Sequence, residues 1–152
     1  MLREEGPHAR LRLLIVNGDE RAAQTLAAAA RASDRFQPIA HMGDARFALE
    51  HVWDCIQNRP DDVPDVVITD LRAGGLGGVQ LTRELRRYAE TRKMLIAFVA
   101  SRSGPLDQDA AETAGADYFV SWPKSEADLG PILIKIADRS LTLGPLPVRM
   151  LN

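Results

Sequence analysis

The chain has 152 residues, 45% of them hydrophobic and 26% charged, the length of one domain and the balance of a soluble globular protein. A net charge of −2 excludes a global electrostatic footprint for nucleic acid, and a single cysteine, Cys55, excludes an intrachain disulfide or a thiol metal cluster. The opening MLREEGP has no signal-peptide core and no apolar stretch approaches a membrane span, so a cytoplasmic protein is expected, with neither nucleic acid nor membrane as partner.

Residues 1–10 read as an N-terminal extension. LRLLIV at 11–16 is a first strand, and 19–32 an alanine-rich helix with Asp19 as its cap. FQPIAH at 36–41 is a second strand, and Pro38, which cannot donate to a ladder, assigns it to a sheet edge. Ala45, Ala48, Leu49, Val52 and Ile56 recur at helical spacing, predicting an amphipathic helix over 44–57, which the turn NRPDDVP stops with two prolines. The run PDVVITD at 64–70 is a third strand, buried on both faces as in a parallel sheet. A glycine-rich loop, LRAGGLGG, follows it.

A third helix is expected over 79–90, with Leu81, Leu85 and Tyr88 on one face. Arg83, Arg86, Arg87, Arg92 and Lys93 cluster at its end and read as a solvated terminus that favours cations. MLIAFVA at 94–100 is a fully apolar fourth strand. A short helix over 106–114 is closed by Gly115, and DYFVS at 117–121 is the fifth strand. The last helix, 125–139, begins at a Ser125 cap and buries Leu129, Ile132, Leu133 and Ile136. The tail 141–152, LTLGPLPVRMLN, has two prolines and reads as a non-helical, apolar segment.

Strands alternating with helices predict βαβ units with right-handed crossovers. The fold class is therefore α/β: a flavodoxin-like, doubly wound (βα)5 domain over 11–140, with a five-stranded parallel sheet of order 2-1-3-4-5. Its site lies where the carboxyl ends of strands one, three, four and five converge. Asn17, Gly18 and Asp19 stand there after strand one and Asp70 after strand three. Ala100 and Ser101 follow strand four; Ser121, Trp122 and Pro123 follow strand five.

LLIVNGDE, PDVVITDLRAGGLGG, GADYFV and the proline after strand five come in the order and spacing of a known family. On these motifs, from 11 to about 139, the chain resembles the CheY-like receiver domain of two-component response regulators. The turn NRPDDVP is also similar to that of small regulators that accompany bacterial phytochromes. The resemblance implies transfer of a phosphoryl group from a kinase histidine to an aspartate, with Mg²⁺ and a lysine stabilising charge on the moving oxygens. Mg²⁺ would be held by an acidic pair after strand one and by a backbone carbonyl after the aspartate.

Carried onto this chain, the resemblance makes Asp70 the candidate phosphorylation site. Four other positions depart from the pattern. Asn17 and Gly18 replace the acidic pair, Ala100 the hydroxyl residue and Trp122 the lysine. Asp19 is the residual acid, read as a helix cap, and Ser101 the residual hydroxyl, one residue late. Asp19, Asp70 and the Arg72 carbonyl are the remaining candidates for Mg²⁺, which is expected only if phosphorylation is retained; no cofactor is expected otherwise. Phe119 occupies the switch-aromatic position, and without a hydroxyl at Ala100 it reads as fixed core. Trp122 either plugs the vacated phosphate pocket or packs as a half-buried aromatic. Lys124 reads as a solvated flank of the last helix.

The losses strike one chemical step and should compound. The expected protein is a pseudo-receiver, not an enzyme, that signals by protein–protein interaction without phosphorylation. Its expected partner is a histidine kinase or another signalling protein. Homodimerisation is expected through the face made by the fourth helix, fifth strand and fifth helix. Two rivals remain: a functional regulator phosphorylated on Asp70, and a small-molecule sensor using the crevice opened by Gly18 and Ala100. His8, His41 and His51 lack metal-ligand spacing.

Overall fold

The computed structural model describes residues 10–71 and 76–143. The extension before Arg10, Arg72, Gly74 and Gly75 of the glycine loop, His8 and the tail 144–152 lie outside the described residues. The strands are β1 (Leu11–Val16), β2 (Phe36–Met42), β3 (Val66–Thr69), β4 (Leu95–Ala100) and β5 (Tyr118–Ser121). The helices are α1 (Glu20–Ser33), α2 (Ala45–Asn58), α3 (Gly78–Arg87), α4 (Asp107–Ala114) and α5 (Leu129–Leu143).

The five strands form one sheet in the order β2-β1-β3-β4-β5, with every neighbouring pair parallel. This is the doubly wound order the alternation predicts. Pro38 does sit on an edge strand, and the β1–β2 register shifts between the Leu11 and Leu13 pairings, an irregularity that edge prolines commonly accompany. On one side of the sheet Leu13, Ile15, Val66 and Val99 pack with Leu26 of α1 and Leu133 and Ile136 of α5. On the other, Leu14, Val67, Ile96 and Phe98 pack with Val52 of α2, Leu81 and Leu85 of α3, and Ala111 of α4. The apolar faces of all five helices are buried against the strands between them, the main favourable term in folding.

Three local expectations are corrected. Ser125 caps a 3-10 turn, Glu126–Asp128, and α5 begins only at Leu129; Pro131 then falls in the first turn, where its missing N–H is no loss. At the other end, 141–143 continue α5 instead of opening an irregular tail. Thr142 donates to the Asp138 carbonyl at 2.9 Å within the helix. Tyr88 does not share the buried face of Leu81 and Leu85. α3 stops at Arg87, and Tyr88 is 39% exposed with its ring edge-on to Trp53 at 5.0 Å.

Candidate functional site at the carboxyl end of the sheet

β3 ends at Thr69, so Asp70 is the first residue beyond the strand, and it is only 4% exposed. The start of α3 presses on its backbone: a Cβ on Gly78 would lie 2.2 Å from the Asp70 carbonyl oxygen and 3.0 Å from the Phe98 ring. Glycine is required there because backbone meets backbone. The Asp70 carboxylate accepts from the Leu71 N–H at 2.6 Å through Oδ1. Its Oδ2 accepts from Ser101 Oγ at 2.7 Å and from the Ser101 N–H at 3.4 Å. Both oxygens are thus engaged by neutral donors.

Asn17 is 2% exposed. Its Oδ1 accepts from the Asp19 N–H at 2.8 Å, and its carbonyl lies 3.1 Å from His41 Nε2. Gly18 and Asp19 are exposed. Asp19 caps α1, accepting from the Ala22 N–H at 3.2 Å, as its position before the alanine-rich helix predicts. Ala100 is buried, and its carbonyl accepts from the Trp122 N–H at 2.8 Å. Trp122 is half-buried and packs against the core on the α1–α5 side of the sheet. Phe119 packs on the opposite side, stacked on Phe98 with ring centres 5.9 Å apart. Lys124 is exposed. The Arg72 carbonyl and Gly74 lie outside the described residues.

A hard divalent cation is held through carboxylates and water. Here the Asn17 and Asp19 side chains are occupied by backbone donors and the Asp70 carboxylate by Ser101 and Leu71. No group of three or more His, Cys, Asp or Glu is placed to hold a metal among the described residues. Among the described residues, the oxygen donors nearest Asp70 are thus already engaged within the fold.

Ser101, which the sequence offers as a residual hydroxyl one residue late, does reach Asp70, because the chain turns immediately after β4 and brings the next residue over the end of β3. Sequence reasoning missed one feature. Arg86 is not part of a solvated terminus. Its guanidinium donates to the carbonyls of Gly115 (2.9 Å), Arg92 (2.9 Å) and Met94 (2.6 Å) and to Asp117 Oδ2 (2.8 Å), and Asp117 Oδ2 also accepts from the Ile96 N–H at 2.9 Å. Burial pulls the Arg86 pKa below its ordinary value, and Asp117 opposes that pull. The spacing from Arg86 to Asp117 is too long for any local pattern to have signalled the pair.

A five-stranded parallel sheet in this order, with a carboxylate at the end of β3 and a hydroxyl at the end of β4, defines a CheY-like receiver domain. The Two-component response regulator ORR41 of Oryza sativa subsp. japonica is 31% identical over 125 residues, covering 82% of this chain and 93% of that protein. The chain belongs to the response regulators of two-component signalling. Two solved structures share the fold. The phosphorylated cyanobacterial phytochrome response regulator RcpA matches with a TM-score of 0.74 at 13% identity, over 91% of this chain and 99% of that one. The receiver domain of sensor histidine kinase PA1611 from Pseudomonas aeruginosa PAO1, with magnesium in its active-site cleft, matches with a TM-score of 0.68 at 21% identity, over 86% and 99%. No protein-family model matches the chain. No helix among the described residues is long and apolar enough to cross a membrane.

Proposed function

We propose that this response regulator is a pseudo-receiver, a non-catalytic module that signals in the cytoplasm by binding protein partners without being phosphorylated. The observation that carries the reading is the state of Asp70. The carboxylate is buried, both its oxygens are held by Leu71 and Ser101, and the residues that would bring a metal ion and a fixed cation to it are Asn17, Gly18 and Trp122. Asn17 and Trp122 are built into other parts of the fold. Their replacement removes charge stabilisation from phosphoryl transfer, the step that depends on it most.

Output then comes from a surface. β5 is an edge strand flanked by α4 and α5, so the α4–β5–α5 face offers an open binding platform. A histidine kinase or another signalling protein is the partner proposed for it. The receiver unit spans 11–140 by sequence, with α5 carrying the chain to Leu143 and the remaining tail beyond it.

One observation favours a second reading, in which Asp70 still accepts phosphate. Ser101 brings a hydroxyl within 2.7 Å of the carboxylate, a partial substitute for the hydroxyl lost at Ala100. Intact mass after incubation with acetyl phosphate and excess Mg²⁺, alongside Asp70→Asn, decides between them. Unchanged mass in both proteins is expected. A one-phosphate adduct on the wild type alone would overturn the pseudo-receiver reading. The small-molecule reading rests on Gly18 and Ala100, and no contact among the described residues adds to it.

A further inference from the structure

Charge is unevenly divided across the α2–α3–α4 layer. Residues 83–93 hold five basic side chains against two acidic ones, a net +3 in a chain of net −2. Beside them α4 carries Asp107, Asp109 and Glu112, and no lysine or arginine occurs between Ser103 and Pro123. Opposite charges therefore sit on neighbouring helices of one outer surface.

The basic half is ordered. Arg86 is tied inward to the Arg92 and Met94 carbonyls, which fixes the segment leading from α3 into β4. Arg83 and Arg87, one turn apart, are exposed. Arg83 makes a 3.4 Å hydrogen bond to Gln80. Arg87 pairs with Glu84 at 3.3 Å and lies 5.6 Å over the Tyr88 ring, which in turn meets Trp53. Arginine on paired, part-exposed aromatics is the composition of interface hot spots. Arg83 and Arg87 share a surface groove with Thr113 and Ala114 of α4, and Asp109 and Glu112 are exposed on that helix.

A long polyanion laid on the arginines would run onto the acids of α4 and be repelled. A surface with the same alternation, turned about a two-fold axis, meets opposite charge at both helices. We propose that this face pairs with a second copy of the chain, Arg83 and Arg87 of each protomer facing Asp109 and Glu112 of the other. Such contacts are self-complementary by symmetry. The two helices are about 15 Å and 12 Å long at 1.5 Å per residue, a small patch, so the dimer is weak and salt-sensitive. Self-association is thereby assigned to α3 and α4 and leaves the β5–α5 side of the platform open to partners. It does not depend on whether Asp70 takes phosphate.

Sedimentation velocity on the full chain, with two charge-reversal variants, tests the assignment. Wild type is expected to dimerise at low salt and to dissociate at about 0.5 M salt. Arg83→Glu/Arg87→Glu and Asp109→Lys/Glu112→Lys should each weaken the dimer at least about tenfold. An equimolar mixture of the two should restore it, because one contact of the mixed dimer is then reversed on both sides and the other is the native one. Circular dichroism melts confirm that each variant folds, and the single Arg83→Glu replaces any that does not. A wild type that stays monomeric, a dimer indifferent to both variants, or a mixture that fails to recover overturns the proposal. Loss of the dimer in Lys135→Glu/Arg139→Glu instead would move it to the α4–β5–α5 face and also overturn it. Binding of a short oligonucleotide with no dimer would reduce the patch to an anion site and do the same.

Discussion

Asp70 and Asp117 are two withdrawn carboxylates beside the same strand, one over each end of β4, and they are met in opposite ways. Asp117 faces the Arg86 guanidinium at 2.8 Å and the Ile96 N–H at 2.9 Å. Its charge is answered by a cation that also satisfies three carbonyls. Asp70 is the more deeply buried, yet its named donors are a serine hydroxyl and backbone N–H groups. At the amino end of β4 a full ion pair anchors α3, β4 and β5 together. At the carboxyl end the Asp70 carboxylate is met by neutral donors alone among the contacts described. One end of β4 thus carries a structural ion pair, while at the other the carboxylate has Trp122, not a cation, after the neighbouring strand.

The comparison is broken most severely by removing the cation from the well-paired end. Arg86→Ala leaves Asp117 without its cation and three carbonyls without their side-chain donor, and is expected to destabilise the domain by about 3 kcal/mol, the low end for breaking a buried pair, read as a fall in the urea unfolding free energy. Arg86→Lys should recover only part of this, because an ammonium cannot reproduce the planar fork. At the other end, Gly78→Ala drives a methyl into the Asp70 carbonyl. An expected loss of about 2 kcal/mol by the same measurement, with shifted amide resonances at Leu71 and Ser101, would show that α3 docks directly on the site.

Much of this arrangement was legible from local pattern. Pro38 placed β2 at the edge, the apolar run before Asp70 gave a strand buried on both faces, and Asp19 and Gly115 marked helix ends that the backbone confirms. The features that escaped depend on where the chain goes after an element ends. Ser101 was legible as a residual hydroxyl at the site, but its contact with Asp70 is set by the turn beyond β4, which strand alternation does not describe. Arg86 sits in a cluster of five basic residues over 83–93 and reads as solvent-facing, but its partners belong to β4 and the approach to β5. Tyr88 continues the helical spacing of Leu81 and Leu85, yet α3 ends one residue before it. In each case the deciding contact is tertiary, and spacing along the chain carries no trace of it.

Asp70→Asn sharpens the comparison by a smaller amount. The amide oxygen can still accept from the Leu71 N–H, and the amide nitrogen can donate to Ser101 Oγ once that hydroxyl turns. Two of the three hydrogen bonds are retained, only the long 3.4 Å one from the Ser101 N–H is lost, and a buried charge is removed. Stability should therefore rise by about 1 kcal/mol, seen as a later urea midpoint with an unchanged slope. A fall of similar size would mean that Asp70 is better compensated than its neutral donors indicate, and would draw the two ends of β4 together.

The smallest effect comes from a third carboxylate, Asp54 at the surface of α2, which has the ion pair of Asp117 without the burial. It accepts from Asn58 Nδ2 and Arg59 Nη2, each at 2.7 Å. The Asn58 hydrogen bond, followed by that of Arg59, holds its carboxyl below the ordinary carboxylate value. A depressed folded-state pKa stabilises the fold above the unfolded value, and that contribution is lost as pH falls through the folded one. Solvent screening keeps the contribution small. Carbon-detected NMR titration should place the Asp54 midpoint below the usual range in the wild type and raise it in Asn58→Ala. The unfolding free energy near neutral pH should scarcely move, in contrast to the loss in Arg86→Ala. A large loss in Asn58→Ala would make exposure irrelevant to what an ion pair contributes here, and the contrast drawn between Asp117 and Asp70 would then need a cause other than burial.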